Sequence, residues 1–260
     1  MPTNQEWAEY RRANEQIRQM VERDIRQVWR AIDVSDRARF RQVILDNIPA
    51  LVDEYGKVSA SLAAEFFETS VGRAPLLAAP VTREAAEASA RWAIGPVWED
   101  QPEKALGQLT TSMTRHVRQA GRDTVRDSAL QTRGVAYARV LQGSENCAFC
   151  VTMAGRGAVY TESTARGDVE RRSAGGSAKA YHDDCDCDVI AIASESDWPA
   201  GYNHTKYEDM YREARKLAGK DPNLGYKTLK GGTPGLPREL RDPNEPLSIL
   251  QAMRDLYGMH

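Results

Sequence analysis

All four cysteines of this 260-residue chain lie in two short segments, and this clustering constrains the fold more than any other feature. The first segment, ENCAFC, holds Cys147 and Cys150 as a C-x-x-C pair, a spacing that forms a tight knuckle and directs two sulfur atoms to one point. The second segment, HDDCDC, holds His182, Cys185 and Cys187. The main structural question is therefore whether the fold brings these two groups of thiols, which a long loop separates, to one site.

Residues of β type adjoin each half of the cluster. The sequence GVAYARVLQG precedes the first half and predicts a strand over about 135–141, and CDVIAIA predicts a second short strand at the other half. Two strands that each carry one half can pair and bring the halves together. The loop between them is no obstacle, because the entropy cost of closing a loop grows only logarithmically with its length.

The residue types of the cluster suit zinc, which binds thiolate sulfur and imidazole nitrogen tetrahedrally. Five candidates compete for four positions. Cys185 and Cys187 point to opposite faces if their segment is extended, so one of them is expected to be a spare. The expected ligands are one of this pair, with Cys187 preferred, and Cys147, Cys150 and His182. With so many candidates no open position for water is implied, and we expect a closed structural site rather than a catalytic one.

Three other interpretations of the cluster stay open: disulfide bonds, buried reduced thiols, and a cysteine nucleophile with His182 as its base. The last would make the chain a cysteine peptidase, but the sequence shows no third orienting group and no oxyanion hole. A zinc-dependent nuclease would need a catalytic histidine apart from the structural ligands, and neither His116 nor His204 lies in a persuasive motif. We therefore expect no enzymatic activity and no cofactor other than structural zinc.

The composition is that of a folded protein in aqueous solution. Hydrophobic residues make up 41% and charged residues 28% of the chain, and the net charge of −2 gives no sign of a general nucleic-acid-binding surface. The polar N-terminus lacks the apolar core of a secretory signal, and no apolar run approaches the ~18 residues of a membrane span. We expect no membrane contact and a reducing compartment, where clustered cysteines are more often metal ligands than disulfides.

The part of the chain that precedes the cluster predicts helices throughout. Apolar residues at three- and four-residue steps over 4–32 form one face, which we expect to pack on its own domain. The alternative is a helix that docks on a partner or self-associates. Ser35 is a plausible N-cap for the next helix, and Pro49 could begin a fresh one that runs on to the helix-breaking segment VGRAPLLAAP. Further helices are predicted from Thr82 and over 101–131.

After the second strand, the pattern predicts a short helix, then a Gly/Pro-rich linker and a terminal amphipathic helix. The terminal helix either folds back on the core or docks on another subunit. The predicted fold class is mainly α, with short antiparallel strands around a zinc-knuckle-like module. The predicted divisions are a helical domain, a Cys/His β module, a short helix, and a linker with a docking helix, at 1–131, 132–195, 196–218 and 219–260.

The segments YARVLQGSENCAFCVTMAGRGAVYTESTA and AYHDDCDCDVIAI resemble the minor head proteins of tailed bacteriophages, in the MuF-like group common in phages of actinobacteria. The recurrent features are an aromatic-Ala-Arg strand, C-x-F-C, an R-G-x-x-Y step and a Y-H-x-x-C-x-C segment. In this chain they lie at Tyr137–Arg139, Cys147–Cys150, Arg156–Tyr160 and Tyr181–Cys187. The resemblance covers roughly residues 110–195, apart from the Gly/Ser/Arg-rich loop within it.

The resemblance implies a low-copy virion protein at the portal vertex in the capsid interior, present in the host cytoplasm during assembly and acting in head assembly. It implies the portal protein and the major capsid or scaffold proteins as partners and, for some relatives, a role in DNA delivery. A weak contact with packaged DNA is suggested by the residues themselves, through a basic stripe at helical spacing. Its alternative explanation is a solvated or acid-paired face, and its members are Arg115, Arg118, Arg122 and Arg126.

Overall fold

The computed structural model describes residues 3–142, 146–158, 187–218 and 249–259. Within these residues the chain forms seven α-helices, two short 3-10 helices and a two-stranded antiparallel sheet, which confirms the predicted mainly α class. The predicted zinc-knuckle-like module is not shown by the described residues and stays a prediction. No helix in these ranges is both long and apolar enough to cross a membrane.

The chain divides into two compact units. The described part of the first unit comprises residues 3–137 and 189–200. The described part of the second unit comprises residues 138–142, 146–158, 187–188, 201–218 and 249–259. The domain boundaries expected from the sequence stay predictions.

Helix α1 (Asn4–Arg30) begins with a capping box, in which the Thr3 hydroxyl accepts the Glu6 amide and the Glu6 carboxylate accepts the Thr3 amide. The helix predicted over 4–32 is confirmed and ends two residues earlier. Most of its buried side chains join the core of the first unit, so the expectation that it packs on its own domain is confirmed as well. Its buried residues are Trp7, Tyr10, Ile17, Val21, Ile25 and Trp29.

Helix α2 (Arg37–Val71) runs without interruption for 35 residues, so the prediction that a fresh helix begins at Pro49 is wrong. A proline inside a helix has no amide hydrogen, and it leaves the carbonyl four residues earlier without its helical donor. That carbonyl belongs to Leu45, and the Arg83 guanidinium donates to it at 3.4 Å. A side chain from outside the helix therefore satisfies the group that Pro49 leaves open.

The start of α2 also differs from its prediction. The N-cap is Asp36 rather than Ser35, and its carboxylate accepts the Arg39 amide at 3.1 Å. The Ser35 hydroxyl instead donates to the Asp33 carboxylate at 2.8 Å. Serine and aspartate are about equally good N-caps, so the local sequence did not distinguish two adjacent candidates.

Helix α3 (Arg83–Ala93) begins at its predicted cap, Thr82, and a 3-10 helix follows at Gly95–Glu99. Helix α4 (Pro102–Gln131) matches the helix predicted over 101–131. Four of the five apolar residues predicted for its face are buried, and the fifth, Leu106, is partly buried against the same core. The buried four are Leu109, Met113, Val117 and Ala120.

Helices α2 and α4 make the most extensive contact between elements in the first unit. They approach closely where Gly121 faces Ser59, because a Cβ added at Gly121 would lie 2.9 Å from the Ser59 carbonyl oxygen. The helix break predicted at VGRAPLLAAP is confirmed and lies over 72–82. This segment is bound to α4 by a hydrogen bond from the Leu76 amide to the Ser128 hydroxyl at 2.8 Å. Small and hydroxyl-bearing residues thus let backbone segments lie close to α4.

Strands β1 (Ala136–Val140) and β2 (Asp188–Ile192) form the antiparallel pair that the sequence predicted. Every residue of both strands is buried. Because the pairing is antiparallel, the end of β1 and the start of β2 lie at the same end of the sheet.

Three helices of the second unit pack on one another: α5 (Ala148–Ala154), α6 (His204–Leu217) and α7 (Ile249–Tyr257). Helix α6 is the predicted short helix, and α7 is the predicted terminal helix. Met253 of α7 is completely buried, and the Tyr257 hydroxyl donates to the Glu213 carboxylate of α6. Helix α7 therefore packs within its own chain, as the fold-back alternative predicts.

Candidate metal centre

Cys147 and Cys150 lie in the first turn of α5. Cys147 is the N-cap of this helix, with an extended backbone, and its sulfur accepts the Cys150 amide at 3.3 Å. The Cys150 side chain is buried and Cys147 is partly exposed. The sequence predicted the cysteine pair as a knuckle but not as a helix, because seven residues are too few for a recognisable helical period.

Cys187 directly precedes β2 and is completely buried. It belongs to the same compact unit as Cys147 and Cys150. The antiparallel pairing sets the start of β2 beside the end of β1, and the Cys147 turn follows β1 after a short connection. The sequence predicted that strand pairing brings the two halves of the cluster together, and these three candidates lie in one compact unit.

The three described cysteines are thiols, and no disulfide bond joins any two of them. His182 and Cys185 lie outside the described residues, so the fourth ligand and the choice between Cys185 and Cys187 stay predictions. Among the residues that the structure describes, no group of three or more His, Cys, Asp or Glu side chains is arranged to hold a metal ion.

The donor chemistry of the three thiols fits zinc. Thiolate sulfur is a soft ligand that favours zinc over magnesium or calcium. The amide of Cys150 already donates to the Cys147 sulfur, and such outer contacts orient a metal-binding thiolate and stabilise its charge. Zinc binding by these thiols stays a prediction, because the described geometry does not gather all three around one point.

Tyr202 contacts the segment that leads to the cysteine turn, and no feature of the sequence predicted this. It precedes α6, and the Leu141 amide donates to its hydroxyl oxygen at 3.3 Å. Burial raises the pKa of Tyr202 far above its usual value, the charges of Tyr207 and Cys187 raise that pKa as well, and the Leu141 hydrogen bond lowers it. The phenol is therefore a neutral group in the neighbourhood of Cys187. A lone tyrosine outside any periodic pattern gives no signal in the sequence.

The first turn of α6 also supports the end of α5. Gly155 caps α5 and lies directly against α6, since an added Cβ would be 2.3 Å from the Tyr207 carbonyl oxygen and 2.8 Å from the Tyr211 Cβ. The rings of Tyr202 and Tyr207 have their centroids 5.6 Å apart. One turn of α6 therefore contacts both the end of the cysteine-bearing helix and Tyr202.

Two motifs that carry the phage resemblance contact each other. The Arg139 guanidinium of β1 lies 5.8 Å from the centroid of the Phe149 ring in α5. Arg139 is 5% exposed, so this cation–π contact lies inside the second unit. The arginine of the aromatic-Ala-Arg strand and the phenylalanine of C-x-F-C thus connect β1 to the cysteine turn.

His116 makes a contact between two helices, and His204 makes one within a helix. His116 of α4 is buried, and its Nε2 atom lies 2.8 Å from the Ser89 hydroxyl of α3. His204 begins α6, and its Nδ1 atom lies 3.2 Å from the Glu208 carboxylate. Both contacts suit a structural role, and the expectation that the chain is not an enzyme stays a prediction.

The basic stripe of α4 is partly enclosed and partly acid-paired. Arg122 is 3% exposed. Arg126 forms ion pairs with Asp123 and with Asp127, the second at 2.7 Å. These observations favour the acid-paired alternative that the sequence analysis named for this stripe, and contact with DNA stays a prediction.

Comparison with known proteins gives a family and one phage relative. A family model described as VG15 protein matches residues 1–214. Gene 15 protein of Mycobacterium phage D29 is 25% identical to the chain over 142 residues, which are 46% of this chain and 52% of that protein. The chain thus spans about half the length of the curated relative it matches, and no solved structure matches it.

These matches support the broader expectation from the sequence, a phage-related protein, whereas the MuF-like minor-capsid assignment stays a prediction. The family match extends over both the helices of the first unit and the cysteine turn of α5. Because it covers most of the sequence, the chain belongs to the VG15 protein family.

Proposed function

We propose that this protein is a minor component of a tailed-phage head, bound at the portal vertex inside the capsid and acting in head assembly. The observation that carries the proposal is the VG15 family match over residues 1–214, together with the similarity to a mycobacteriophage protein. The four motifs between Tyr137 and Cys187 add the specific resemblance to minor head proteins. The portal protein and the major capsid or scaffold proteins are the proposed partners.

The surface of the first unit supports a role in protein–protein contact. Trp92 at the end of α3 is 60% exposed, and Trp98 of the following 3-10 helix is 42% exposed. Large exposed aromatic side chains are enriched at protein interfaces, where they provide buried area at little cost in side-chain entropy. These two residues are the proposed contact points for a head protein.

We further propose that the cysteine cluster is a structural zinc site. Cys147, Cys150 and Cys187 are three thiols within one compact unit, and two of them are buried. His182 is the proposed fourth ligand, with Cys185 as the spare. Such a site holds a small unit together because metal binding is coupled to folding, and it supplies no catalytic chemistry.

The head assignment is tested by locating the protein and then disturbing its proposed contact. Mass spectrometry of gradient-purified virions of the phage that encodes the chain should detect it at low copy. Co-expression of the full chain with the portal protein of the same phage should yield a complex that survives size-exclusion chromatography. A Trp92→Glu and Trp98→Glu variant should lose that complex while keeping its folded circular-dichroism spectrum.

Leu217→Glu is the matched control, because Leu217 is an apolar residue of the second unit that is 50% exposed. It should leave the portal complex unchanged. A protein that is abundant in lysate and missing from purified virions would contradict the proposed function outright. A complex that tolerates both tryptophan changes would leave the virion role standing and move the contact to another surface.

A further inference from the structure

We propose that Tyr202 is a positioning residue that fixes the two halves of the thiol cluster relative to each other. The inference rests on the proposed metal site, since it assigns a role to a residue that binds the end of β1, beside which the start of β2 lies. Tyr202 itself binds no metal in this proposal. Its hydroxyl and its ring act on the backbone and the helices that carry the thiols.

The hydroxyl of Tyr202 holds the end of β1. The Leu141 amide, directly after β1, donates to the Tyr202 oxygen at 3.3 Å. Leu141 begins the connection that leads to Cys147, so this hydrogen bond fixes the point from which the first half of the cluster departs. On the other strand, Cys187 directly precedes β2, whose start lies beside the end of β1 in the antiparallel pair.

The ring of Tyr202 is in turn fixed by α6. It packs on Tyr207, with the ring centroids 5.6 Å apart. The Tyr207 carbonyl oxygen lies against Gly155, the C-cap of α5, so closely that a Cβ there would be 2.3 Å away. The C-terminal end of α5 and the ring of Tyr202 therefore both contact Tyr207 of α6.

A Tyr202→Phe change isolates this role. It removes the acceptor for the Leu141 amide and keeps the ring that packs on Tyr207. The chain offers a matched control in Tyr257→Phe, which removes another tyrosine hydroxyl from the second unit. That hydroxyl donates to Glu213 between α6 and α7 and has no contact with the β1 end or the cysteines among the described interactions.

The experiment titrates the reduced, metal-free full chain with Co²⁺ and then displaces Co²⁺ with Zn²⁺, following the sulfur-to-cobalt charge-transfer absorption. Tyr202→Phe should bind Co²⁺ about 10-fold more weakly than the unchanged protein, the size expected when an outer residue that orients metal ligands is removed. Tyr257→Phe should bind with unchanged affinity. Both variants should be compared at a temperature where circular dichroism shows them folded, so that loss of affinity is not loss of fold.

Unchanged Co²⁺ affinity in Tyr202→Phe would overturn the inference while the metal site stood. If the unchanged protein binds no Co²⁺ through sulfur, the proposed metal site fails, and a second readout decides on Tyr202. Alkylation of the metal-free thiols, with the modified peptide identified by mass spectrometry, should then be several-fold faster at Cys187 in Tyr202→Phe than in Tyr257→Phe. Equal alkylation rates at Cys187 in the two variants would overturn the positioning role.

Discussion

Gly121 decides how closely α2 and α4 can pack. A Cβ at this position would lie 2.7 Å from the Ser59 hydroxyl oxygen and 2.9 Å from the Ser59 carbonyl oxygen. Because the carbonyl is backbone and cannot rotate away, Gly121→Ala should lower the free energy of unfolding by about 1–3 kcal/mol. Urea denaturation followed by tryptophan fluorescence measures this change.

Gly107 is the control for this substitution, since it lies on the same helix with no atom near its missing Cβ. Gly107→Ala should raise the free energy of unfolding by about 0.5–1 kcal/mol, because alanine loses less backbone entropy than glycine when the helix forms. If the two substitutions had the same effect, the close approach of α2 and α4 at Gly121 would not be a constraint on stability.

A second residue-scale link joins α1 to α2. The Tyr55 hydroxyl donates to the Asp24 carboxylate at 2.6 Å, and this hydrogen bond lowers the pKa of Asp24 below its usual 3.8. A carboxyl group with a lowered pKa in the folded state stabilises the fold above its usual pKa, and the contribution is lost as the pH falls through the lowered value. Tyr55→Phe should therefore cost about 1 kcal/mol of unfolding free energy near neutral pH and less in acid below 3.8.

Urea denaturation of both proteins across this pH range measures the effect. In an Asp24→Asn background, Tyr55→Phe should have a cost that no longer varies with pH, because the titrating partner has been removed. A cost that stays constant in acid with Asp24 present would contradict the assignment of this hydrogen bond.

At the residue scale, the sequence predicted the features that depend only on residue type and spacing. The face of α4 followed from spacing alone, whereas the grouping of Cys187 with the C-x-x-C pair at one metal ion stays a prediction. Tyr202, Gly155 and the Arg139–Phe149 contact did not follow from spacing, because each depends on which segments meet in space. The presence of a glycine or a tyrosine in the sequence does not indicate which helix will pack against it.

At the scale of elements, the continuity of α2 depends on a partner from α3. Pro49 deprives the Leu45 carbonyl of its helical donor, and Arg83 donates to it instead. Arg83→Met should lower the unfolding free energy by about 1 kcal/mol in the unchanged protein. The loss should be smaller when Pro49→Ala is also present, because an alanine amide restores the helical hydrogen bond to Leu45.

A double-mutant cycle by urea denaturation measures this coupling, expected at about 0.5–1 kcal/mol. The ion pair of Arg83 with Glu87, at 2.8 Å, is present in both backgrounds and cancels in the cycle. Glu87→Gln is the control, and it should show no coupling to Pro49→Ala. Additive effects of Arg83→Met and Pro49→Ala would mean that Arg83 does not compensate for the proline.

Helices of ten or more residues and both strands were predictable as elements, and the errors have local physical causes. The division of α2 at Pro49 failed because a distant arginine, invisible to local pattern, replaces the missing hydrogen bond. The sequence of α5 predicts only a cysteine knuckle, because the helix is short and because Cys147 is both its N-cap and a candidate ligand. Its period cannot be recognised within seven residues.

At the scale of the whole molecule, the two compact units carry different spectroscopic probes. All five tryptophans, Trp7, Trp29, Trp92, Trp98 and Trp198, belong to the first unit. The three described thiols belong to the second. Tryptophan fluorescence therefore reports on the helical first unit, whereas far-ultraviolet circular dichroism also includes α5, α6 and α7 of the second.

This separation gives the proposed zinc site a test that distinguishes local from global effects. Protein purified under reducing conditions should contain zinc by elemental analysis, and a chelator should remove it. Because a structural metal is bound by the folded unit and not by the unfolded one, its loss should lower the thermal unfolding midpoint of the second unit by several degrees. The midpoint measured by tryptophan fluorescence should change much less than the first transition measured by circular dichroism.

Cys150→Ser should reproduce the effect of the chelator without any chelator present, because it removes a buried proposed ligand in the first turn of α5. Cys150→Ser protein should then show no further loss of stability when chelator is added. If the purified protein carries no zinc and the chelator changes neither midpoint, the thiols stabilise the second unit as packed side chains only. Cys150→Ser would in that case cost only the burial of a polar hydroxyl, and the cost would not depend on chelator or on added zinc.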